Sequence, residues 1–280
     1  ISSAHMNTDP LIALLRQHGL SQYQTEILDT ARPSIFCRLG QSGQGEIGQS
    51  RIGGVPDLPP SMGWPRSERS DAALCFILQI ILAQLPPFPE SPFPQKGMLY
   101  LFVSEGEDAA EQILFWDGSE PLQPFPQPDP GEMVTDWYED LVPHTLSFEL
   151  VPDLPRWATD DFYGLCDRLS IDEVVLDDMT RVFSKDCIAK LLGHAAGIGH
   201  DPRPDAYVVR EVKAEWLYNY EQRKTLDMSG AQRWCNLLTV KSNGAVDLWF
   251  GDAGYLQVLI HEEDLSQMDL SRAYVGLESS

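Results

Sequence analysis

Three pairs of neighbouring carboxylates, Asp160-Asp161, Asp172-Glu173 and Asp177-Asp178, are the first residues whose types could do chemistry, because two facing acids can divide general acid and base work between them. Their spacing argues against that use. Neighbours on a helix point about 100° apart, so each pair sends its carboxylates to different faces and reads as solvated surface. A cation site could be drawn from His194, His200 and Asp201, but five residues separate the two histidines, which is not a standard zinc spacing. His261-Glu262-Glu263-Asp264-Leu265 lacks the second histidine of a metalloprotease helix. There is no G-x-S-x-G, no S-x-x-K and no cysteine with a histidine partner in a known arrangement, so nucleophilic catalysis has no signature. The loop at 40–48 holds four glycines, yet no Lys-Ser/Thr follows to cradle a phosphate. The expectation is a non-enzymatic chain with no metal or other cofactor.

What remains is binding through charge. The chain carries a net charge of −22 with a pI near 4.4, and residues 105–186 hold 21 Asp and Glu against 4 Lys and Arg, a net of −17. Such a surface repels nucleic acid and anionic membranes, and its natural complement is a cationic protein. The acids are interleaved with Trp116, Phe125, Trp137, Tyr138, Trp157, Phe162 and Tyr163, the mixture a tight interface with a basic partner would use: charge speeds encounter and buried aromatics slow release. The predicted partner-binding set is Asp136, Trp137, Tyr138, Glu139, Asp140, Trp157, Asp160, Asp161, Asp172, Glu173, Asp177 and Asp178. A charge run can also serve only to keep a protein soluble, and that reading stands beside the first.

These residues need a body to hold them. At 280 residues and 43% hydrophobic composition the chain can bury a sizeable core without disulfides or metals. Cys37, Cys75, Cys166, Cys187 and Cys235 are odd in number, widely spaced and free of C-x-x-C pairs, which predicts reduced, buried thiols in a cytoplasmic protein. No apolar run reaches the ~20 residues of a membrane span, and the N-terminus lacks a basic region followed by an apolar core. Residues 1–5, ahead of Met6, read as a cloning scar. Asp9-Pro10 opens a helix that Gly19 ends, and a second helix is expected over 21–31. Strands are expected at 35–39, 74–82 and 97–103, and a rigid extended path at Arg51-Ile52-Gly53-Gly54-Val55-Pro56-Asp57-Leu58-Pro59-Pro60 and Gly63-Trp64-Pro65, pinned by Leu58 and Trp64. The five prolines of 118–131 predict exposed loop. Thr159-Asp160-Asp161 caps a helix, an amphipathic stretch follows over 170–192, and a third helix is expected over 216–234.

Gly53-Gly54-x-Pro56-x-Leu58-Pro59, Trp64-Pro65, the Phe76-x-x-Gln79-Ile80 strand and Gly97-x-Leu99-Tyr100-x-Phe102, with Leu191-Leu192-Gly193, Leu237-Leu238-Thr239-Val240, 251–260 and Glu263-Asp264-Leu265, occur in an order that resembles the YwqG-like family, a bacterial domain of unknown function. Where that family has a Pro and a Gln soon after Leu-Leu-Gly, this chain has His194-Ala195-Ala196-Gly197-Ile198. The resemblance implies an immunity protein encoded beside a secreted toxin. Joined to the charge, it implies a basic, nuclease-type toxin of a contact-dependent or type VI secretion system.

The matched blocks also resemble each other: Gly54, Phe76 to Ile80 and Gly97 to Val103 recur as Gly193, Leu237 to Val240 and Gly254 to Ile260. Either a duplicated β unit or two unrelated glycine-led strand pairs yields this pattern. The first predicts an α+β fold with a mostly antiparallel, pseudo-twofold sheet, peripheral helices and an acidic middle wrapped outside. The parts would be N-terminal helices and loop (6–50) and a domain over 51–280, divided into a first β unit (51–104), the acidic middle (105–190) and a second β unit (191–280). The competing reading is a small-molecule or metal-binding enzyme with a groove between the units, lined by Trp64, Gln79, Tyr100 and Trp249.

Overall fold

The computed structural model describes residues 6–104, 112–135, 138, 140–197 and 199–279; the expected cloning scar at 1–5 lies outside them. Strands β1 (Arg32–Ser42), β2 (Arg51–Ile52), β4 (Cys75–Ile81), β5 (Met98–Val103), β6 (Ile113–Trp116), β8 (His144–Asp153), β9 (Ala189–Leu192), β10 (Trp234–Lys241), β11 (Tyr255–His261) and β12 (Tyr274–Glu278) form one ten-stranded sheet in the order β12-β11-β10-β9-β1-β8-β2-β4-β5-β6. Every neighbouring pair is antiparallel. β3 (Asp57–Leu58) and β7 (Gln123–Pro124) make a separate two-stranded ribbon. The fold is α+β.

The order is palindromic about the β1–β8 pair. Chain order β1-β2-β4-β5-β6 is repeated by β8-β9-β10-β11-β12, and the first strand of each unit is exchanged, β1 lying against β9 and β8 against β2. The registers agree residue by residue. The β4–β5 ladder breaks between Phe76 and Leu78 and the β10–β11 ladder between Asn236 and Leu238, so the extra residues Ile77 and Leu237 are equivalent, and both are fully buried. Arg51 opposes Gln79 as Lys190 opposes Thr239. The expected repeat is therefore present. The expectation of a middle wrapped outside is corrected, because that stretch supplies edge strand β6 and central strand β8.

Alternation along the strands explains the layers. Ile35, Cys37, Leu146, Leu150, Leu99, Leu101, Leu238, Val240, Leu256 and Val258 join one cluster that also contains Ile113 of β6 and Val275 of β12, so the sheet curls until both edges meet the same core. The opposite face is covered locally: Phe76, Tyr100 and Phe102 by Leu58 and Trp64, and Trp234, Leu259 and Tyr274 by α5 (Arg203–Tyr207) through Ala206. Trp64 lies edge-on to Phe102 with ring centroids 5.7 Å apart and donates its indole N–H to the Leu74 carbonyl, as the expected pin. Helices α1 (Asp9–Gln17), α3 (Asp160–Leu169) and α4 (Glu173–Phe183) share a second core through Leu11, Leu15, Phe162, Leu165, Leu176 and Met179.

Two expected helices are shorter than expected. Residues 21–31 divide into a 3₁₀ turn and α2 (Gln24–Leu28), and 216–234 contain only α6 (Tyr220–Arg223) among 3₁₀ turns. In the latter, the Asp227 carboxylate bonds the Ser229 amide and competes with helix propagation. The last helix, α7 (Glu262–Gln267), is capped by His261, whose Nδ1 accepts from the Glu263 amide.

The repeated glycines Gly97 and Gly254 have one physical cause. A Cβ on Gly97 would collide with the Trp116 carbonyl and one on Gly254 with the Glu278 carbonyl, at matching places where β5 and β11 begin beside the two edge strands. Gly97→Ala and Gly254→Ala are each expected to cost about 1–3 kcal/mol, with urea denaturation as the measurement.

Candidate functional site

The predicted acidic surface is built by helix ends. Thr159 accepts from the Phe162 amide to start α3, which leaves Asp160 and Asp161 in its first turn. Asp172 accepts from the amides of Val174 and Val175 to start α4. Asp140, Asp160, Asp172, Glu173 and Asp178 are exposed. The remaining expected residues divide. Asp161 is half-buried beside Arg203 at 3.1 Å, with His194 Nδ1 3.8 Å away, and the His194 imidazole followed by Arg203 and Arg32 outweighs burial and holds its carboxyl at about 2. Asp177 is 9% exposed and paired with Arg181 at 2.7 Å.

The aromatics of this stretch require a correction. Tyr138 is 7% exposed and packs on Phe250 with centroids 5.9 Å apart, and burial pushes its phenol up to about 12. Phe162 is fully buried, and Trp157 and Tyr163 pack edge-on around it at 5.6 and 5.7 Å. These rings hold the helices to the body and do not stand out as anchors, because an aromatic side chain gains most by burial. Asp136, Trp137 and Glu139 lie outside the described residues.

Apolar surface of another kind is present. On α4, Val174 and Val182 are 63% and 46% exposed, in line with exposed Asp178 at four-residue spacing. The helix thus has three faces: Leu176 and Met179 toward its sister helices, Asp177, Thr180 and Ser184 toward the sheet, and Val174, Asp178 and Val182 toward solvent.

Sequence reasoning missed the polar interior. Each half buries a cation at the same register of its short second strand. In the first, the fully buried Arg51 guanidinium bonds the Asp57 carboxylate, which also takes the Gly48 amide at 2.8 Å and the Gln79 amide nitrogen at 2.9 Å. In the second, Lys190 Nζ lies 2.6 Å from Asp153, which also takes the His194 amide at 2.9 Å and Arg156 at 3.3 Å. The neighbours repeat as well. Gln44 accepts from the Val55 amide where Asp153 accepts from that of His194, and Tyr100 bonds the Asp57 carbonyl where Gln257 bonds that of Ala196. One signal could have exposed this: Arg51 and Lys190 are lone cations beside apolar strand residues and shortly before a glycine.

The other expected residues are engaged separately. His194 Nε2 meets the Thr30 carbonyl at 2.8 Å, His200 the Asp205 carboxylate at 2.7 Å, and Asp201 pairs with Arg203. Among the described residues no group of three His, Cys, Asp or Glu could hold a metal ion. Gln79 and Tyr100 are fully buried around Asp57 with Trp64 nearby, whereas Trp249 is 49% exposed and bonds Asp247 in the other half, so the four do not line one groove. The five cysteines are free, and burial raises the thiol pKa of Cys37, Cys166, Cys187 and Cys235, which leaves them poor nucleophiles. No helix among the described residues is long and apolar enough to cross a membrane.

Fold and site together define a pseudo-twofold α+β protein with a buried ion centre in each half and an acidic helical face on one side. The chain belongs to the family described as a domain of unknown function, DUF1963, whose sequence profile matches residues 50–278. A search of curated proteins finds no match.

Proposed function

We propose that the protein is a non-enzymatic binding protein whose α3–α4 face receives a basic protein, and that this partner is a secreted nuclease-type toxin which the chain neutralises in the cytoplasm as an immunity protein. The observation that carries the reading is the solvent face of α4, where Val174 stands exposed among Glu173, Asp178 and the Asp172 cap, with exposed Val182 two turns further on beside Arg181 and Lys185. An apolar side chain held in water among carboxylates at the start of the helix suits a partner that brings cations to the rim and apolar groups to the centre. A nuclease has that chemistry, since it must present a basic cleft to phosphate. The resemblance to YwqG-like proteins supports the same class.

The test uses the protein encoded by the adjacent gene. Changing Asp160, Glu173 and Asp178 together to Lys leaves the caps Thr159 and Asp172 in place, while Asp140, before β8 (His144–Asp153), lies away from this face. The association rate is expected to fall about 10–100-fold at low salt while the melting temperature changes little. An association rate that is unchanged, or one insensitive to ionic strength in the wild type, overturns the proposed surface.

A further inference from the structure

Behind α4, a chain of net charge −22 gathers cations. Arg156 from the loop after β8, Lys190 from β9 and Lys241 from the end of β10 line a cavity of about 530 Å³, with Arg181 and Lys185 exposed at its rim. The inner three share a single fully buried carboxylate, Asp153, which contacts Lys190 and Arg156. Asp177 is engaged by Arg181. Lys241 Nζ donates to the Ser184 carbonyl at 3.1 Å, and Arg156 Nε is buried with no hydrogen-bond partner among the described residues. Asp252 reaches the pocket only from its exposed rim and pairs with none of the three, so three largely buried cations face a single buried carboxylate, and buried charge of that kind is costly unless an anion arrives.

The pseudo-twofold shows where the anion would sit. Six residues after Arg51 is Asp57, whose carboxylate covers the guanidinium; six residues after Lys190 is Ala196, whose methyl group lines the cavity. The opposing residue Gln79, which also bonds Asp57, is replaced by Thr239. The second half thus repeats the cation and the backbone frame but carries its carboxylate, Asp153, at the position of Gln44, and leaves the place of Asp57 to an alanine. We propose that this pocket binds a small organic molecule through a phosphate or carboxylate group, its oxygens taking the place over Lys190 that Asp57 fills over Arg51. The volume suits more than a bare ion, and Trp157 and Tyr255 supply flat walls for the remainder. Burial, with Arg156 beside it, lowers the Lys190 ammonium to about 8 and burial lowers that of Lys241 too, as expected of cations awaiting a counter-charge. The cavity opens on the sheet-facing side of α4 and meets the partner face only at Arg181 and Lys185, so Lys241, inside the cavity, tests this proposal alone.

The test is a titration of the intact protein with inorganic phosphate and, separately, with citrate, each against sodium chloride at matched ionic strength, following melting temperature and Trp fluorescence. One of the two is expected to give a saturable rise, and which one does so distinguishes a phosphate ligand from a carboxylate ligand. Lys241→Met is expected to weaken that binding about 10-fold or more, the worth of one charge-assisted contact. Lys185→Gln, at an exposed position on the rim, is expected to weaken it to a lesser degree. General stabilisation by excluded salts acts equally on all three proteins. An identical response in wild type and both variants, or no saturable response to either probe, overturns the proposal.

Discussion

Asp153→Asn is expected to lower the free energy of unfolding by about 3–5 kcal/mol, because it removes the carboxylate from buried cations and leaves them uncompensated. Asp153 is 1% exposed and receives Lys190 at 2.6 Å, Arg156 at 3.3 Å and the His194 amide at 2.9 Å. Asn still accepts from the amide, so the loss measures charge and not shape. Burial pushes the Asp153 carboxyl up, but Lys190, Arg156 and His194 together outweigh it and bring it to about 2 from the ordinary 3.8. A carboxyl whose folded pKa is depressed contributes stability above its unfolded pKa and loses it as pH falls through the folded value. This group should therefore contribute ~2 kcal/mol at neutral pH that disappears between about pH 4 and pH 2. Lys190 acts in the opposite sense. Burial lowers it from 10.5 to about 8, so between those values the unfolded chain holds a proton that the folded one has released, and stability rises with pH across that window. Urea midpoints from about pH 2 to about pH 10 should show both slopes in the wild type. The acid slope should be shallower in Asp153→Asn, and the alkaline rise smaller in Lys190→Met, where Lys241, also lowered by burial, remains.

Such a centre is hard to see in the chain because its members are far apart: Asp153, Arg156, Lys190 and Lys241 come from β8, the loop after it, β9 and β10. What was legible was local. The branched apolar run of β4 ended at a proline-rich link, those of β5 and β11 each followed a glycine, and the cap Thr159 preceded its helix as capping chemistry requires. The repeat could be seen because Gly97 and Gly254 meet the same steric demand. Strand β8 was not expected although Leu146, Phe148 and Leu150 alternate with Ser147 and Glu149, since the acidic residues around it mask the period of two. The exchange of β1 and β8 between halves could not be read, because strand partners far apart in sequence are chosen by packing and no local residue pattern encodes them. For the site, sequence located the acids but not their exposure: Asp177 turned inward, and Tyr138 and Phe162 went to the core.

The equivalent centre in the first half should behave differently when both partners are removed. Asp57→Asn alone is expected to cost about 3–5 kcal/mol, since fully buried Arg51 then faces no carboxylate. Adding Arg51→Met should recover at least half of that loss, because a buried pair replaced by uncharged groups of similar volume is often nearly neutral, and the introduced amide oxygen can still accept from Gly48. In the second half, Lys190→Met added to Asp153→Asn should recover little, because Arg156 and Lys241 stay charged beside the vacated position. Two double-mutant cycles, measured by denaturation at neutral pH, therefore give a large coupling energy for Arg51–Asp57 and a smaller one for Lys190–Asp153. Equal couplings would mean that Lys190 and Asp153 form an isolated pair. The surplus positive charge behind α4 would then be an illusion of proximity, and the pocket would have no need of an anion.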